Sequence, residues 1–249
     1  MNYLFKGTYN IKNLNNLNSE NLNNNIWVSK TRKRILHNKK KKSFIINSPT
    51  NLFLNLLFHQ KKNIKILDFG AGSLDLYFDI INNFLSLKNF KGCKVTLDIV
   101  EVPKLIQMYK KLKFFNKKIK INFLSHDSFK KKYDIVHISD SLHYINQPQK
   151  FIINLINTQS EYIILNNTRL GKNATFATFQ TFYKYKIPTW FFNEKQILKL
   201  FEKKYSVLVN INFLNKFFDK YAKYPMKNFK KKNRIEYTKT IILKKNNVS

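Results

Sequence analysis

Acidic side chains stand out in this sequence because the chain around them is strongly basic. It contains 46 Lys and Arg residues against 14 Asp and Glu residues, which gives a formal net charge of +32. Four of the acids follow apolar runs that are typical of buried strands, and these are Asp68, Glu101, Asp127 and Asp140. The carboxyl ends of parallel strands share one edge of a sheet, so the four carboxylates would converge there. Such an edge suits a cationic ligand that contains a ribose, because one carboxylate can accept both ribose hydroxyls.

Glycines follow the first of these acids at once. Residues 63–75 read N-I-K-I-L-D-F-G-A-G-S-L-D, and a helical spacing of apolar residues starts at Leu74. This order predicts a strand, a glycine turn that lets a ligand approach the backbone, and a helix. A tight turn without a ligand would have the same pattern. Phosphate binding is disfavoured because the chain lacks both a P-loop and the third glycine of G-x-G-x-x-G, and because Asp68 would repel a pyrophosphate.

Strands and helices must alternate along the chain to position these residues. The apolar runs predict strands at 64–67, 93–100, 119–124, 133–138 and 162–165. A helical pattern follows each of the first four, and Pro103 and Pro148 stand at two of the helix starts. The alternation predicts an α/β fold with a parallel sheet and right-handed crossovers.

Composition limits the remaining classes of protein. Hydrophobic residues make up 43% of the chain, yet no apolar run reaches the ~18 residues of a membrane span. The single cysteine, Cys93, excludes an internal disulfide framework, and with no signal-peptide pattern we expect a cytoplasmic protein. The Cys and His residues lack the spacing of metal ligands, so no metal site is expected.

The lysine content admits two interpretations. Lys, Asn, Ile, Phe and Tyr are all abundant while Gly, Pro, Ala and Arg are scarce, so much of the charge could reflect A/T-rich codons. The charge would still favour weak association with anionic surfaces. We expect residues 1–45 to be an Asn- and Lys-rich extension that is loosely ordered over 1–25, and residues 46–249 to form one domain. The basic stretch 27–42 either binds a polyanion or is a solvated helix face.

Four segments carry a resemblance to a known family. They are L-D-F-G-A-G at 67–72, V-E-V-P at 100–103, I-S-D-S-L-H-Y-I-N-Q-P at 138–148 and I-P-T-W-F-F-N-E at 187–194. Together they resemble class I S-adenosylmethionine (SAM)-dependent methyltransferases. More narrowly, they are similar to a poorly characterised bacterial methyltransferase family with D-F-G-G-G and Y-P-S-W-F-F-S-E motifs, often encoded near surface-polysaccharide genes. The resemblance covers roughly residues 60–215.

This resemblance implies a fold, a cofactor and a set of contacts. The fold would be a Rossmann-like, doubly wound sheet of about seven strands, mostly parallel, with helices on both faces and an antiparallel edge formed by 205–213 and 237–243. The cofactor would be SAM. Asp68, Gly70 and Gly72 would shape the site of its methionine end, Glu101 would bind its ribose, and Asp127 and Ser128 would flank its adenine. The other cofactor candidates are Ala71, Val102 and Ser139, and Ser139 begins the segment where cofactor and acceptor would meet. The turn of this family carries a further glycine near position 74, where this chain has Leu74.

Catalysis would need positioning and, for a hydroxyl acceptor, a base. His143 stands where the family has Gln and is the candidate base, with Asp140 or Tyr144 as a helper. His143 could instead pack at the strand tip. His126 and His137 are weaker candidates, and His137 alternates within a strand and is expected in the core or at an edge.

The segment 171–195 is unusually aromatic. Its rings could line an acceptor pocket and stack on a sugar or a base, with Tyr183, Trp190 and Phe191 as candidates, or they could belong to the core. We therefore expect a SAM-dependent methyltransferase that O-methylates a sugar or glycan-related small molecule in polysaccharide biosynthesis. One alternative is an RNA methyltransferase, although S-D-S-L stands at 139–142 instead of N-P-P-Y/F. Another is a non-catalytic protein of this fold that binds a polyanion or a protein partner.

Overall fold

The structure is a computed structural model, and it describes residues 4–9, 22–40, 49–82, 92–125, 132–213 and 225–247. The strands are β1 (Phe5–Tyr9), β2 (Asn63–Phe69), β3 (Lys94–Val100), β4 (Ile119–Leu124), β5 (Ile135–Ser139), β6 (Tyr162–Thr168), β7 (Leu170–Gly171), β8 (Phe176–Phe182), β9 (Tyr185–Asn193), β10 (Tyr205–Asn212) and β11 (Lys239–Lys245). The helices are α1 (Asn25–Lys40), α2 (Pro49–Gln60), α3 (Asp75–Ile80), α4 (Pro103–Lys110), α5 (Pro148–Asn157) and α6 (Glu194–Phe201).

Seven strands form the main sheet in the order β10-β11-β6-β5-β2-β3-β4. Strand β2 lies parallel to both β3 and β5, and β3 lies parallel to β4. Strands β10 and β11 pair antiparallel at one edge. The predicted Rossmann-like α/β sheet of seven mostly parallel strands, with an antiparallel edge and helices around it, is confirmed.

A second sheet was not predicted from the sequence. It has four strands in the order β1-β8-β9-β7, and β8 and β9 form an antiparallel hairpin. Strand β1 pairs antiparallel with β8, so Phe5 lies opposite Gln180. The expectation of loose order over residues 1–25 is therefore wrong for residues 5–9, because a long-range partner supplies the backbone hydrogen bonds of this segment.

The chain divides into two compact units. The first, which we call the glycine-turn unit, comprises residues 23–138 and 160–164. The second, which we call the hairpin unit, comprises residues 1–22, 139–159 and 165–249. Within the described parts of these ranges, no helix is long and apolar enough to span a bilayer.

Each unit has its own buried apolar residues. In the glycine-turn unit they come from β2 and β3, in which the last four residues are all buried, and they include Ile64, Ile66 and Leu97. In the hairpin unit a separate cluster contains Phe5, Phe176, Phe191, Met226, Phe229 and Ile235. Burial of one such side chain stabilises the fold by about 1.5–3 kcal/mol, which holds the strand ends in place.

Candidate active site

The glycine turn joins β2 to α3 in a conformation that side chains rarely adopt. Gly70 and Gly72 have φ values of 72° and 50°. The N–H of Gly70 donates to the Val100 carbonyl at 2.9 Å, which ties the turn to the end of β3. A Cβ placed on Gly72 would have only the Gly70 carbonyl within 4 Å, so this part of the turn is open. The turn has the room that a bound ligand needs.

Leu74 occupies the position where the family that the sequence resembles has a further glycine. Its φ is 59°, in the left-handed region, and its side chain is completely buried. The Leu74 N–H donates to the Ala71 carbonyl at 2.8 Å and closes the turn before α3 begins. The backbone therefore keeps the glycine-like conformation although the residue has a side chain.

Glu101 lies just past the end of β3 and reaches the glycine turn. Its Oε1 accepts the Gly72 N–H at 2.8 Å, and its Oε2 accepts the N–H of Val102 at 2.8 Å. Burial raises the pKa of this carboxyl to about 7; the two amide hydrogen bonds lower the pKa, and the charge of Asp68 raises it further. Each carboxylate oxygen retains lone-pair capacity for a ribose hydroxyl.

Tyr109 of α4 supports the same turn. Its hydroxyl donates to the Gly72 carbonyl. Burial, followed by the charges of Glu101, Asp68 and Asp75, raises the pKa of this phenol well above its ordinary value. Tyr109 is therefore a neutral donor that fixes the Gly72 peptide.

Asp68 has a buried partner that the sequence did not reveal. His137 Nδ1 lies 2.9 Å from Asp68 Oδ1, and both side chains are almost fully buried. Residues 68 and 137 are register partners in the parallel β2–β5 pair. The sequence placed His137 in the core or at an edge, and the pairing register that brings it to Asp68 has no local signal.

The remaining cofactor candidates lie in different places. Asp127 and Ser128 lie outside the described residues. Ala71 is buried within the glycine turn, and Val102 is half-buried at the start of α4. Ser139 ends β5, where its Oγ accepts from Asn166 Nδ2 at 3.2 Å.

Asp140 and His143 follow β5 in the hairpin unit. Asp140 has a φ of 51°, and its side chain is 55% exposed. His143 lies in a single 3-10 turn, Leu142–Tyr144, and is 0% exposed. Its Nε2 is 3.3 Å from Asp140 Oδ1, but neither ring nitrogen has a hydrogen bond of good geometry within the described residues.

Burial also controls the protonation of His143. Loss of solvent, with a smaller effect from the charge of Arg169, holds the pKa of His143 well below its ordinary value. The imidazole is therefore neutral at physiological pH. It could accept a proton, but its burial means that an acceptor molecule would meet Asp140 first.

Tyr144 belongs to a polar network centred on Arg169. The Tyr144 hydroxyl donates to Gln180 Oε1 at 2.8 Å. Arg169 Nη2 donates to the Tyr144 hydroxyl at 3.2 Å and to Gln180 Oε1 at 2.8 Å. Arg169 Nη1 donates to Thr189 Oγ1, and the guanidinium lies 5.1 Å from the Phe5 ring centroid. Burial raises the pKa of Tyr144 although Arg169 acts in the opposite direction. No local pattern in the sequence indicated a role for Arg169.

The three aromatic acceptor candidates differ in exposure. Tyr183 is 55% exposed at the tip of the β8–β9 hairpin, with a φ of 53°. Trp190 is buried, and its Nε1 donates to the Ile145 carbonyl at 3.0 Å. Phe191 is buried and stacks on Phe176 with centroids 5.1 Å apart. Of the three, Tyr183 alone presents its ring to solvent.

Known structures share this architecture. No protein-family model matches the sequence, and no curated protein matches it. A Burkholderia thailandensis 1,6-didemethyltoxoflavin-N1-methyltransferase, crystallised with 1,6-didemethyltoxoflavin and S-adenosylhomocysteine (SAH), is 10% identical, with a TM-score of 0.50 over 89% of this chain and 88% of that chain. The chain has the fold of class I SAM-dependent methyltransferases.

A second structure supports the same fold assignment. It is the complex between the Haloferax volcanii Trm112 methyltransferase activator and its proposed methyltransferase. The matched chain is 10% identical, with a TM-score of 0.52 over 90% of this chain and 96% of that chain. The methyltransferase fold and the glycine turn with its acidic neighbours together make this edge of the sheet the candidate active site.

Proposed function

We propose that the protein is a SAM-dependent methyltransferase. The observation that carries the proposal is Glu101, whose two oxygens bind the backbone of the glycine turn and of its own helix start. In this proposal the Glu101 carboxylate accepts the ribose hydroxyls of the cofactor. SAM supplies a methyl group on a positively charged sulfur, and the acids near the turn suit such a cation.

In this proposal, different residues of the glycine-turn unit contact different parts of the cofactor. The methionine end lies against Asp68, Gly70, Ala71 and Gly72, where Gly72 leaves open space. Glu101 and Val102 hold the ribose. Asp127 and Ser128 hold the adenine, as the sequence resemblance implies. Ser139, which belongs to the hairpin unit, stays a candidate from the sequence resemblance alone.

Asp140 and His143 act together on the acceptor. Asp140 is the exposed member of the pair, and its carboxylate takes the proton of the acceptor hydroxyl as the new carbon–oxygen bond forms. The imidazole of His143 is neutral, and its Nε2 lies 3.3 Å from Asp140 Oδ1, so in this proposal it is the group next to the carboxyl that receives the proton. Tyr144, held by Gln180 and Arg169, orients the acceptor as a neutral hydroxyl.

A sugar or glycan-related small molecule is the proposed acceptor, in polysaccharide biosynthesis and in the cytoplasm. The resemblance to a family encoded near polysaccharide genes supports this choice. The exposed Tyr183 ring offers a surface on which a sugar can stack, and Trp190 and Phe191, buried further along β9, are the other two proposed acceptor residues. The free thiol of Cys93 suits a reducing compartment.

An RNA acceptor is the second candidate, and helix α1 is the observation that favours it. The helix exposes six basic side chains, Lys30, Arg32, Lys33, Arg34, Lys39 and Lys40. These side chains could bind the phosphates of an RNA backbone, and the affinity for RNA would then fall steeply as the salt concentration rises. A methyl transfer that is insensitive to salt, with a neutral sugar as acceptor, would exclude this candidate.

Calorimetric titration with SAM and SAH at moderate salt tests the proposed function. We expect both to bind in the micromolar range, and we expect Asp68→Ala and Glu101→Ala each to weaken binding strongly. Unchanged affinity in both variants would contradict the site assignment. Absence of binding by the folded wild-type protein would instead favour a non-catalytic protein of this fold that binds a polyanion or another protein.

A further inference from the structure

His137, the buried partner of Asp68, has no role yet in the proposed chemistry. The two residues face each other across β2 and β5, and their side chains are 3% and 7% exposed. His137 Nδ1 lies 2.9 Å from Asp68 Oδ1, within hydrogen-bond distance, and an imidazole N–H at this position can donate to the carboxylate. The contact thus fixes the orientation of the Asp68 carboxylate and of the His137 ring relative to each other.

A second buried carboxylate in the same unit shows what a purely structural pair looks like. Asp98 of β3 accepts from Tyr133 Oη at 3.0 Å and from Asn122 Nδ2 at 2.6 Å. Asp98 lies three residues before Glu101, within the strand, whereas Asp68 lies two residues before Gly70. Only Asp68 therefore stands where the strand ends and the ligand turn begins.

The charge of Asp68 reaches the rest of the site. It contributes to the raised pKa of the Glu101 carboxyl and to that of Tyr109, so its field extends over the glycine turn. A Lys or Arg partner would satisfy Asp68 but would add a full positive charge that opposes a cationic ligand. A histidine can supply the same hydrogen bond as a neutral donor and leave the negative charge of Asp68 available.

We propose that His137 is a positioning residue that orients the Asp68 carboxylate toward the amino group of the cofactor's methionine end. This inference rests on the proposed SAM site and adds to it a residue that acts through Asp68. It predicts that loss of the His137 donor affects the methionine end of the cofactor and leaves the ribose and adenine contacts unchanged.

The test compares two ligands across two substitutions. SAH contains the methionine amino and carboxyl groups, and methylthioadenosine lacks them. In His137→Phe we expect the SAH dissociation constant to rise about tenfold, as for loss of other supporting hydrogen bonds, while methylthioadenosine affinity is unchanged. In His137→Asn the amide nitrogen takes the place of Nδ1, so we expect most of the SAH affinity to return.

Tyr133→Phe is the matched control, because it removes one buried hydrogen bond from Asp98 in the same sheet. We expect it to lower the thermal midpoint without changing either affinity. Equal SAH affinity in His137→Phe and wild type, or equal weakening of SAH and methylthioadenosine, would overturn the inference. Failure of the wild-type protein to bind either ligand is a different result: it would overturn the proposed function, and the inference with it.

Discussion

Single residues decide how the proposed site would respond to pH. Glu101 accepts two backbone N–H groups at 2.8 Å, yet burial raises its pKa to about 7. A carboxyl that titrates near neutrality is sensitive to any donor that arrives with a ligand. Ribose hydroxyls are such donors, and they stabilise the ionised form of the group.

Cofactor affinity should therefore rise with pH. The pKa of Glu101 in the complex must fall below its value in the free protein, because hydroxyl donors favour the carboxylate. SAM affinity should increase as the pH rises from about 6 through about 7 and then level off, with protons released on binding in that interval. Calorimetry in two buffers with different ionisation enthalpies measures this release. Glu101→Gln should remove the pH dependence, and a pH-independent wild-type affinity would contradict the assignment.

Asp140 and His143 can be separated by their kinetics. Asp140 is exposed and His143 is completely buried, so loss of the carboxylate should affect the acceptor proton more directly. Asp140→Asn should lower kcat by roughly 10²–10⁴-fold with SAM affinity unchanged, and His143→Gln should lower kcat less. Turnover with labelled SAM measures both effects. The reverse order would identify His143 as the base that contacts the acceptor.

The stability of the glycine turn depends on the side chain of Leu74. Leu74 adopts a left-handed conformation, which costs a residue with a Cβ about 1–2 kcal/mol, and its side chain is completely buried. Leu74→Ala should keep the backbone cost and lose about 2–5 kcal/mol of burial. Leu74→Gly should lose a similar free energy of burial, but it should remove the cost of the left-handed backbone conformation, because glycine has no Cβ.

The wild-type protein should therefore have the highest unfolding free energy, followed by Leu74→Gly and then by Leu74→Ala. The difference between the two variants should be about 1 kcal/mol, which urea unfolding can resolve. A glycine variant less stable than the alanine variant would show that the backbone at this position is not strained.

Elements with local signals were predicted well from the sequence. The strands at 119–124 and 205–213 and the helix starts at Pro103 and Pro148 are confirmed within a residue or two, because apolar runs and prolines specify them locally. Strand β1 was missed, since its partner β8 lies about 170 residues further along the chain. The aromatic segment 176–193 was not recognised as a hairpin, because its buried positions do not alternate regularly.

In the candidate site, too, residues with local sequence signals were predicted and residues defined by long-range pairing were not. Asp68, Gly72 and Glu101 meet as the spacing of strands and turns implied. His137 was not recognised as their neighbour, because its contact depends on the register between β2 and β5. Arg169 was missed for a similar reason, since its partners come from three separate segments of the hairpin unit.

At the level of the whole chain, a segment near the start completes the hairpin unit. Phe5 of β1 is completely buried and packs edge-on against Phe191 with centroids 5.3 Å apart. Phe5→Ala should lower the unfolding free energy by about 3–5 kcal/mol, whereas Leu4→Ala, at a 39% exposed neighbour, should change it by less than about 0.5 kcal/mol. Urea unfolding measures both variants. Similar small effects would show that β1 is dispensable for the fold.

The net charge of +32 should produce polyanion binding that is separable from methyl transfer. Arg32, Lys33 and Arg34 are exposed on α1 and are not part of the proposed site. Reversing all three to Glu should weaken binding of poly(U), and wild-type binding should fall steeply between about 0.05 and 0.2 M salt. SAM affinity and turnover on a sugar acceptor should be the same in both proteins. If the reversal removes methyl transfer instead, the basic helix belongs to the acceptor site and RNA becomes the favoured substrate.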